Sequence, residues 1–224
     1  CPNKYVLDGQ EYTGSINQKK LPDGRAFRGC DINWEENGAP DGIIDEKDRK
    51  ILGNAQPKFT GGLNTTFTYK NWGLFVSFFY SLVGDLYNYA RQDRNAFRYT
   101  GTTPEPEVIH NMLVKEGDAA LYPRPFNDEY DNAKLGQGHS FYVEDGSFIK
   151  LRNVRLSYNF DKSITSKLKM KSLGLYAYIN NALTWTNYKG YDPEFSSNSA
   201  LELGRDNNRY PRKREYGIGF NMNF

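Results

Sequence analysis

Long apolar runs are missing from this sequence. No stretch reaches the ~18 consecutive apolar residues that read as a membrane-spanning helix, which excludes a helical membrane protein. A β-barrel stays open, because its strands need only alternate apolar and polar residues and each carries a weak signal. Net charge is nearly missing as well. The 29 Lys and Arg against 27 Asp and Glu leave +2, which gives no basis for nucleic-acid binding. Cysteine is scarce: Cys1 and Cys30 would suit one disulfide in an oxidising compartment, or equally two unpaired thiols. The two histidines, His110 and His139, stand far apart with no Cys or Glu at ligand spacing, which argues against zinc. No phosphate loop, nucleophile elbow or Ser/His/Asp spacing occurs. No secretion leader opens the chain, which starts like the middle of a loop. A segment of a longer protein is therefore expected.

Aromatics are abundant instead, at 15% with 17 Tyr and 14 Phe. Strands favour aromatics, and membrane interfaces collect them. From Leu63 to Tyr69, Leu63, Thr65, Phe67 and Tyr69 fall on one face and Asn64, Thr66 and Thr68 on the other. From Trp72 to Leu82, Trp72, Leu74, Val76, Phe78, Tyr80 and Leu82 oppose Gly73, Phe75, Ser77, Phe79 and Ser81. Only Lys70 and Asn71 separate the two runs, which predicts a tight hairpin. That turn sets Tyr69 opposite Trp72 and Leu63 opposite Phe78, so the apolar faces coincide without being adjusted to do so.

Further strands are predicted over 148–160 and 173–185. In the first, Val154, Leu156, Tyr158 and Phe160 oppose Asn153, Arg155, Ser157 and Asn159. In the second, Leu173, Leu175, Ala177, Ile179, Leu183 and Trp185 share a face that Asn181 interrupts. The connection 161–172 reads as a short, basic, solvated turn. The last run is the clearest: Tyr216, Ile218, Phe220, Met222 and Phe224 alternate with Gly217, Gly219, Asn221 and Asn223. This pattern, ending in Phe, resembles the signal by which bacterial outer-membrane proteins are handed to the barrel-assembly machinery. An ordinary amphipathic strand of a soluble sheet would share the alternation.

A soluble sandwich turns Lys and Glu outward. Here the polar faces carry Asn, Ser, Thr, Gly and Tyr, while the apolar faces end in Tyr69, Trp72, Phe160 and Trp185, as interface girdles do. Short turns also alternate with long loops at 84–146 and 186–212. Loops of that length are rare in compact soluble domains. The expected fold is all-β: a transmembrane antiparallel β-barrel whose long loops are extracellular. Residues 1–57 form an extracellular loop with an acidic turn, and 58–224 supply barrel strands. The turn holds Asp41-Gly42-Ile43-Ile44-Asp45 and Asp48 in half of a calcium-loop pattern, with carboxylates at alternate positions and Gly at the bend. Glu35, Asn37, Asp41, Asp45 and Asp48 are the candidate ligands of one calcium or magnesium ion. The competing reading is a turn capped by Asx contacts. Loop aromatics such as Tyr87, Tyr89, Phe97, Tyr99, Tyr122, Phe126 and Tyr130 could stack on cargo, or pack the loops and a capping partner.

Several motifs in order resemble the SusC/RagA type of TonB-dependent transporter, in its C-terminal third or quarter. They are Gly29-Cys30-Asp31-Ile32, Asn37-Gly38, the acidic turn, Leu52-Gly53-Asn54, Pro57-Lys58-Phe59 and Tyr69-Lys70-Asn71-Trp72-Gly73-Leu74. The series continues with Asp145-Gly146-Ser147 and Phe148 to Val154, Asn180 to Thr186, Gly190-Tyr191-Asp192-Pro193-Glu194 and Tyr210-Pro211. The resemblance implies the C-terminal strands of a roughly 22-stranded, plugged barrel. It implies import powered by the TonB complex through parts outside this chain, and a SusD-like lipoprotein that helps capture oligosaccharides or peptides. It implies outer-membrane lipids around the barrel and no enzymatic activity. The family's usual acidic turn is Asp-x-Asn-Gly-Asp-Gly, from which this chain departs: Ala39 and Pro40 interrupt it, and Glu35 replaces the first Asp. The alternative is a soluble or secreted, adhesin-like all-β binding module.

Overall fold

A computed structural model describes residues 4–7, 10–13, 19–24, 34–95, 103–112, 114, 120–122, 138, 140–194 and 202–224. Cys1, Cys30, Phe97, Tyr99, Phe126, Tyr130 and His139 lie outside them. The chain divides into two compact units, Cys1–Leu52 with Tyr89–Tyr142, and Gly53–Asn88 with Val143–Phe224.

The second unit is built on a five-stranded antiparallel sheet in the order β3-β4-β7-β8-β9. Its strands are β3 (Phe59–Tyr69), β4 (Trp72–Leu82), β7 (Phe148–Asn159), β8 (Ser172–Thr186) and β9 (Glu215–Asn223). Tyr69 pairs with Trp72 and Leu63 with Phe78, as the two-residue turn requires. Lys70 takes the left-handed conformation there, at φ 53°. The β7–β8 connection, expected as a plain turn, contains a short helix, α3 (Lys162–Lys167). A two-stranded sheet joins β5 (Asp85–Tyr87) to β6 (Val143–Asp145). The described residues do not close a barrel: β3 and β9 each pair on one side only.

One irregularity decides how side chains are distributed. β7 carries an extra residue at Arg152, so that Ser77 faces Asn153 but Phe78 faces Leu151. Across from it, Asn181 and Ala182 of β8 lie between Asn180, paired with Asn153, and Leu183, paired with Leu151. Asn181 has φ 52°, the local kink that a bulge imposes. The face on which Val154, Leu156 and Tyr158 sit therefore continues with Leu151 and Ile149. Lys150 and Phe148 turn to the opposite side.

The resulting sheet is inside-out by the standards of a soluble domain. One face runs without a charge through Thr65, Val76, Val154, Ile179 and Tyr216 at mid-height and their neighbours above and below. It stays exposed: Ile218 is 81% and Phe67 61% accessible, whereas Lys150 on the other face is 1%. Contiguous apolar exposure on this scale marks a surface made to be covered.

In the first unit, β1 (Lys4–Leu7) and β2 (Gln10–Thr13) pair antiparallel. Two short helices follow, α1 (Tyr89–Asn95) and α2 (Pro106–Asn111), the latter with Pro at its start where no amide partner is needed. The buried Arg91 guanidinium holds them together: Nε donates to Glu105 at 3.0 Å and Nη2 to the Tyr122 hydroxyl at 2.8 Å. Burial pushes the Glu105 carboxyl up, but hydrogen bonds from Arg94, Arg91 and Asn95 together hold it below the usual glutamate range.

Candidate functional site

The polar face of the sheet gathers the chemistry. Lys150, Arg152 and Arg155 stand on β7, Arg155 by plain alternation and Lys150 because the bulge turns it to this side. The segment after β8 returns over them: Lys150 Nζ reaches Asp192 Oδ1 at 3.1 Å and Glu194 Oε2 at 2.7 Å. Glu194 also accepts from Arg152 and lies 3.5 Å from Arg212. Asp192 accepts from the backbone amides of Glu194, at 3.0 Å, and Arg212, at 3.2 Å. Both carboxylates are nearly buried, at 12% side-chain exposure. A buried lysine needs such partners, since an unpaired one costs several kcal/mol or loses its proton.

Two features pin the returning segment. Gly190 lies where a Cβ would come within 2.2 Å of the Tyr188 ring, so the chain folds flat against that tyrosine. The Tyr188 hydroxyl donates to Asp206 at 2.7 Å, and both residues are buried. The base of the loop 186–212 is thus held by Lys150 at one point and Asp206 at another.

Beside the ionic cluster the face is aromatic. Arg152 lies over the Phe79 ring at 3.8 Å and Arg155 over Tyr176 at 3.9 Å. Tyr176 and Tyr178 stack with each other and lean over Gly219 and Gly217 of β9. Those two glycines leave the room that the rings take.

The acidic turn is organised by its own backbone. Asp48 accepts from the amides of Asn37 at 2.9 Å and Asp45 at 2.8 Å, and Asp45 accepts from Lys47. These amides hold the Asp48 carboxyl below the usual aspartate range. Asp41 accepts from Ile43, and Glu35 pairs with Lys50. Asn37 Nδ2 donates to the Arg49 carbonyl at 3.5 Å. Among the described residues, no three acidic, His or Cys side chains converge as a metal-binding group.

Tyr216, Ile218, Phe220 and Met222 alternate on the exposed apolar face of β9, and Phe224 follows the strand, also exposed. Tyr122 is buried against Arg91 and the Phe141 ring, a packing role rather than an open aromatic platform. Lys150, Arg152, Asp192 and Glu194 fall within the sequence motifs, which by themselves assign them no role. Their signal was the opposite charge of two segments roughly forty residues apart, which spacing alone does not pair.

No family model matches the sequence. Individual proteins do. TonB-dependent receptor P39 of Formosa agariphila is 35% identical over 223 residues, which is 98% of this chain and 21% of that protein. The TonB-dependent receptor SusC of Bacteroides thetaiotaomicron is 25% identical over 214 residues, 85% of this chain and 18% of its own length. A chain of the RagAB peptide importer in its open-open state superposes over 100% of this chain and 24% of its own, with a TM-score of 0.67 at 20% identity. Over nearly its whole length the chain is similar to a part of TonB-dependent receptors, SusC among them. It spans about a fifth of the length of the curated receptors that it matches. Within this chain, the ionic cluster ties strand β7 to the long loop that follows β8.

Proposed function

We propose that this segment forms the C-terminal strands of a barrel of about 22 strands in the bacterial outer membrane, belonging to an importer driven by TonB. The uncharged apolar face carries this reading. It meets lipid, while the opposite face, with Lys150, Arg155 and the Tyr176–Tyr178 pair, lines the lumen. A soluble binding module would have to cover that apolar face by other means. The long loops are extracellular, and the short turns at Lys70–Asn71 and α3 are periplasmic. The segment β9 to Phe224 serves as the signal for the barrel-assembly machinery. Cargo is an oligosaccharide or a peptide, taken up with a SusD-like surface lipoprotein, and the likeness to the RagAB peptide importer supports the peptide class. The acidic turn would take up a calcium or magnesium ion if Asp48 released its two amides.

Cysteine labelling in the full-length receptor tests the topology. In a background with Cys1 and Cys30 replaced by Ser, Leu156→Cys should react only with a lipid-soluble maleimide. Ser157→Cys should react only with reagents that enter the lumen. Equal labelling by a water-soluble reagent at both positions sinks the reading. Uptake of labelled peptides and oligosaccharides, with and without TonB, then separates the cargo classes. Uptake that is indifferent to TonB removes the importer.

A further inference from the structure

The short-turn end of the sheet carries a charge pattern that neither the sheet nor its loops consume. Residues 161–172 contain Lys162, Lys167, Lys169 and Lys171 against the single acid Asp161. Asp161 is engaged, because its Oδ1 accepts from Asn71 Nδ2 at 2.9 Å, which joins this turn to the β3–β4 hairpin. Lys171 donates to the Phe224 main-chain oxygen at 2.7 Å. Lys162, Lys167 and Lys169 are exposed, and no carboxylate among the described residues pairs with them. By contrast, Lys150 on the polar face is doubly paired.

Two further observations give these lysines a direction. Ile164 and Leu168, one helical turn apart on α3 and its C-cap, are 43% and 51% exposed although the helix has only one buried residue, Thr165. The turn also adjoins the aromatic rim of the apolar face. Trp72 packs on Tyr158 at 4.8 Å, Tyr158 on Phe160 at 5.1 Å, and Phe160 immediately precedes the turn. A short amphipathic segment with lysines and exposed aliphatics beside an aromatic rim suits the headgroup layer: apolar side chains enter the acyl boundary and long lysines reach phosphates.

We infer that Lys162, Lys167 and Lys169 form a docking surface for the phosphates of anionic phospholipids in the leaflet that the short turns face. This rests on the membrane reading above and adds a lipid preference to it. Attraction of basic residues to anionic headgroups is additive and screened by salt, so three unpaired lysines make a surface selective for negative lipid.

The test uses the purified full-length receptor in vesicles of phosphatidylethanolamine, with and without phosphatidylglycerol. Phosphatidylglycerol should raise the melting temperature of the heat-modifiable barrel, and native mass spectrometry should retain several-fold more of this lipid than of the neutral one. The variant K162Q/K167Q/K169Q, which leaves Lys171 in place, should melt like wild type in neutral vesicles. It should lose both the phosphatidylglycerol shift and the retained lipid, whereas K162R/K167R/K169R keeps them. High salt should abolish the shift, and inorganic phosphate alone should not reproduce it. A triple-Gln variant with an undiminished shift and undiminished lipid retention overturns the inference while leaving the barrel intact. Wild-type receptor that fails to insert even in neutral vesicles overturns the membrane reading instead.

Discussion

Val76 and Ser77 are adjacent on β4, yet they should respond oppositely to a charge. Val76 pairs with Thr65 on one side and Val154 on the other, near the middle of an eleven-residue strand, on the uncharged face. Arginine there would lie near the bilayer midplane, where a charged substitution on the lipid face costs about 2–4 kcal/mol. Ser77 pairs with Asn64 and Asn153 on the polar face. Arginine at 77 joins groups able to accept its hydrogen bonds and should act only through what fills the lumen. The measurement is urea-induced unfolding of the full-length receptor in phospholipid vesicles, followed by tryptophan fluorescence and by heat-modifiability on gels. Val76→Arg should move the midpoint down by the amount that this range implies, and Ser77→Arg by clearly less. A harmless Val76→Arg beside a damaging Ser77→Arg would mean that the faces are exchanged, because a slip of one residue inverts every side chain.

Deletion of Phe224 should lower the amount of heat-modifiable receptor in the outer membrane; normal amounts would remove the assembly role of the terminal strand. Gly217→Val should destabilise by roughly 1–3 kcal/mol through overpacking, because a Cβ at 217 would come within 2.4 Å of the Tyr178 ring; a neutral result would mean that this tyrosine swings clear. Asp48→Asn should loosen the acidic turn, seen as faster proteolysis between Glu35 and Lys50. Because the Asp48 carboxyl is held below its ordinary pKa, its stabilisation is complete above that ordinary value and is lost as pH falls through the lower, folded one. Calcium that protects the wild-type turn but not Asp48→Asn would establish the cation site; equal cleavage with and without calcium would leave a capped turn.

How much of this was legible in advance differs by element. The β3–β4 register was legible because Lys70 and Asn71 leave one way to close the hairpin. The faces of β9 were legible because five apolar residues alternate with Gly and Asn. The bulge at Arg152 was not, because period 2 cannot announce one extra residue where both faces hold mixed side chains. Its trace was Asn181 interrupting an otherwise apolar row, which the structure explains as a positive-φ residue beside the bulge. Helix α3 was missed for a different reason. Six residues are too few for a helical period to stand out from a basic turn.

The bulge and the ionic cluster depend on each other, and that dependence is measurable. In an unbroken β7, Lys150 and Arg152 would share a face with Val154 and point into lipid. The extra residue instead sends Lys150 to the polar side, where it is 1% exposed and needs its anions. Removing one partner of a buried pair costs about 3–5 kcal/mol. Glu194→Gln should fall below that range, since Asp192 remains at 3.1 Å from Lys150. Lys150→Met alone leaves Asp192 and Glu194 with Arg212 and Arg152, and it should destabilise as well. If the three groups act as one unit, Lys150→Met combined with Glu194→Gln costs less than the sum of the single changes. The expected coupling is about 0.5–3 kcal/mol in the double-mutant cycle. The loop should report the same event, with cleavage after Tyr188 rising in both single variants. Strict additivity, with no change in loop cleavage, would mean that Lys150 is tolerated there for another reason and that the loop is held by Tyr188 and Asp206 alone.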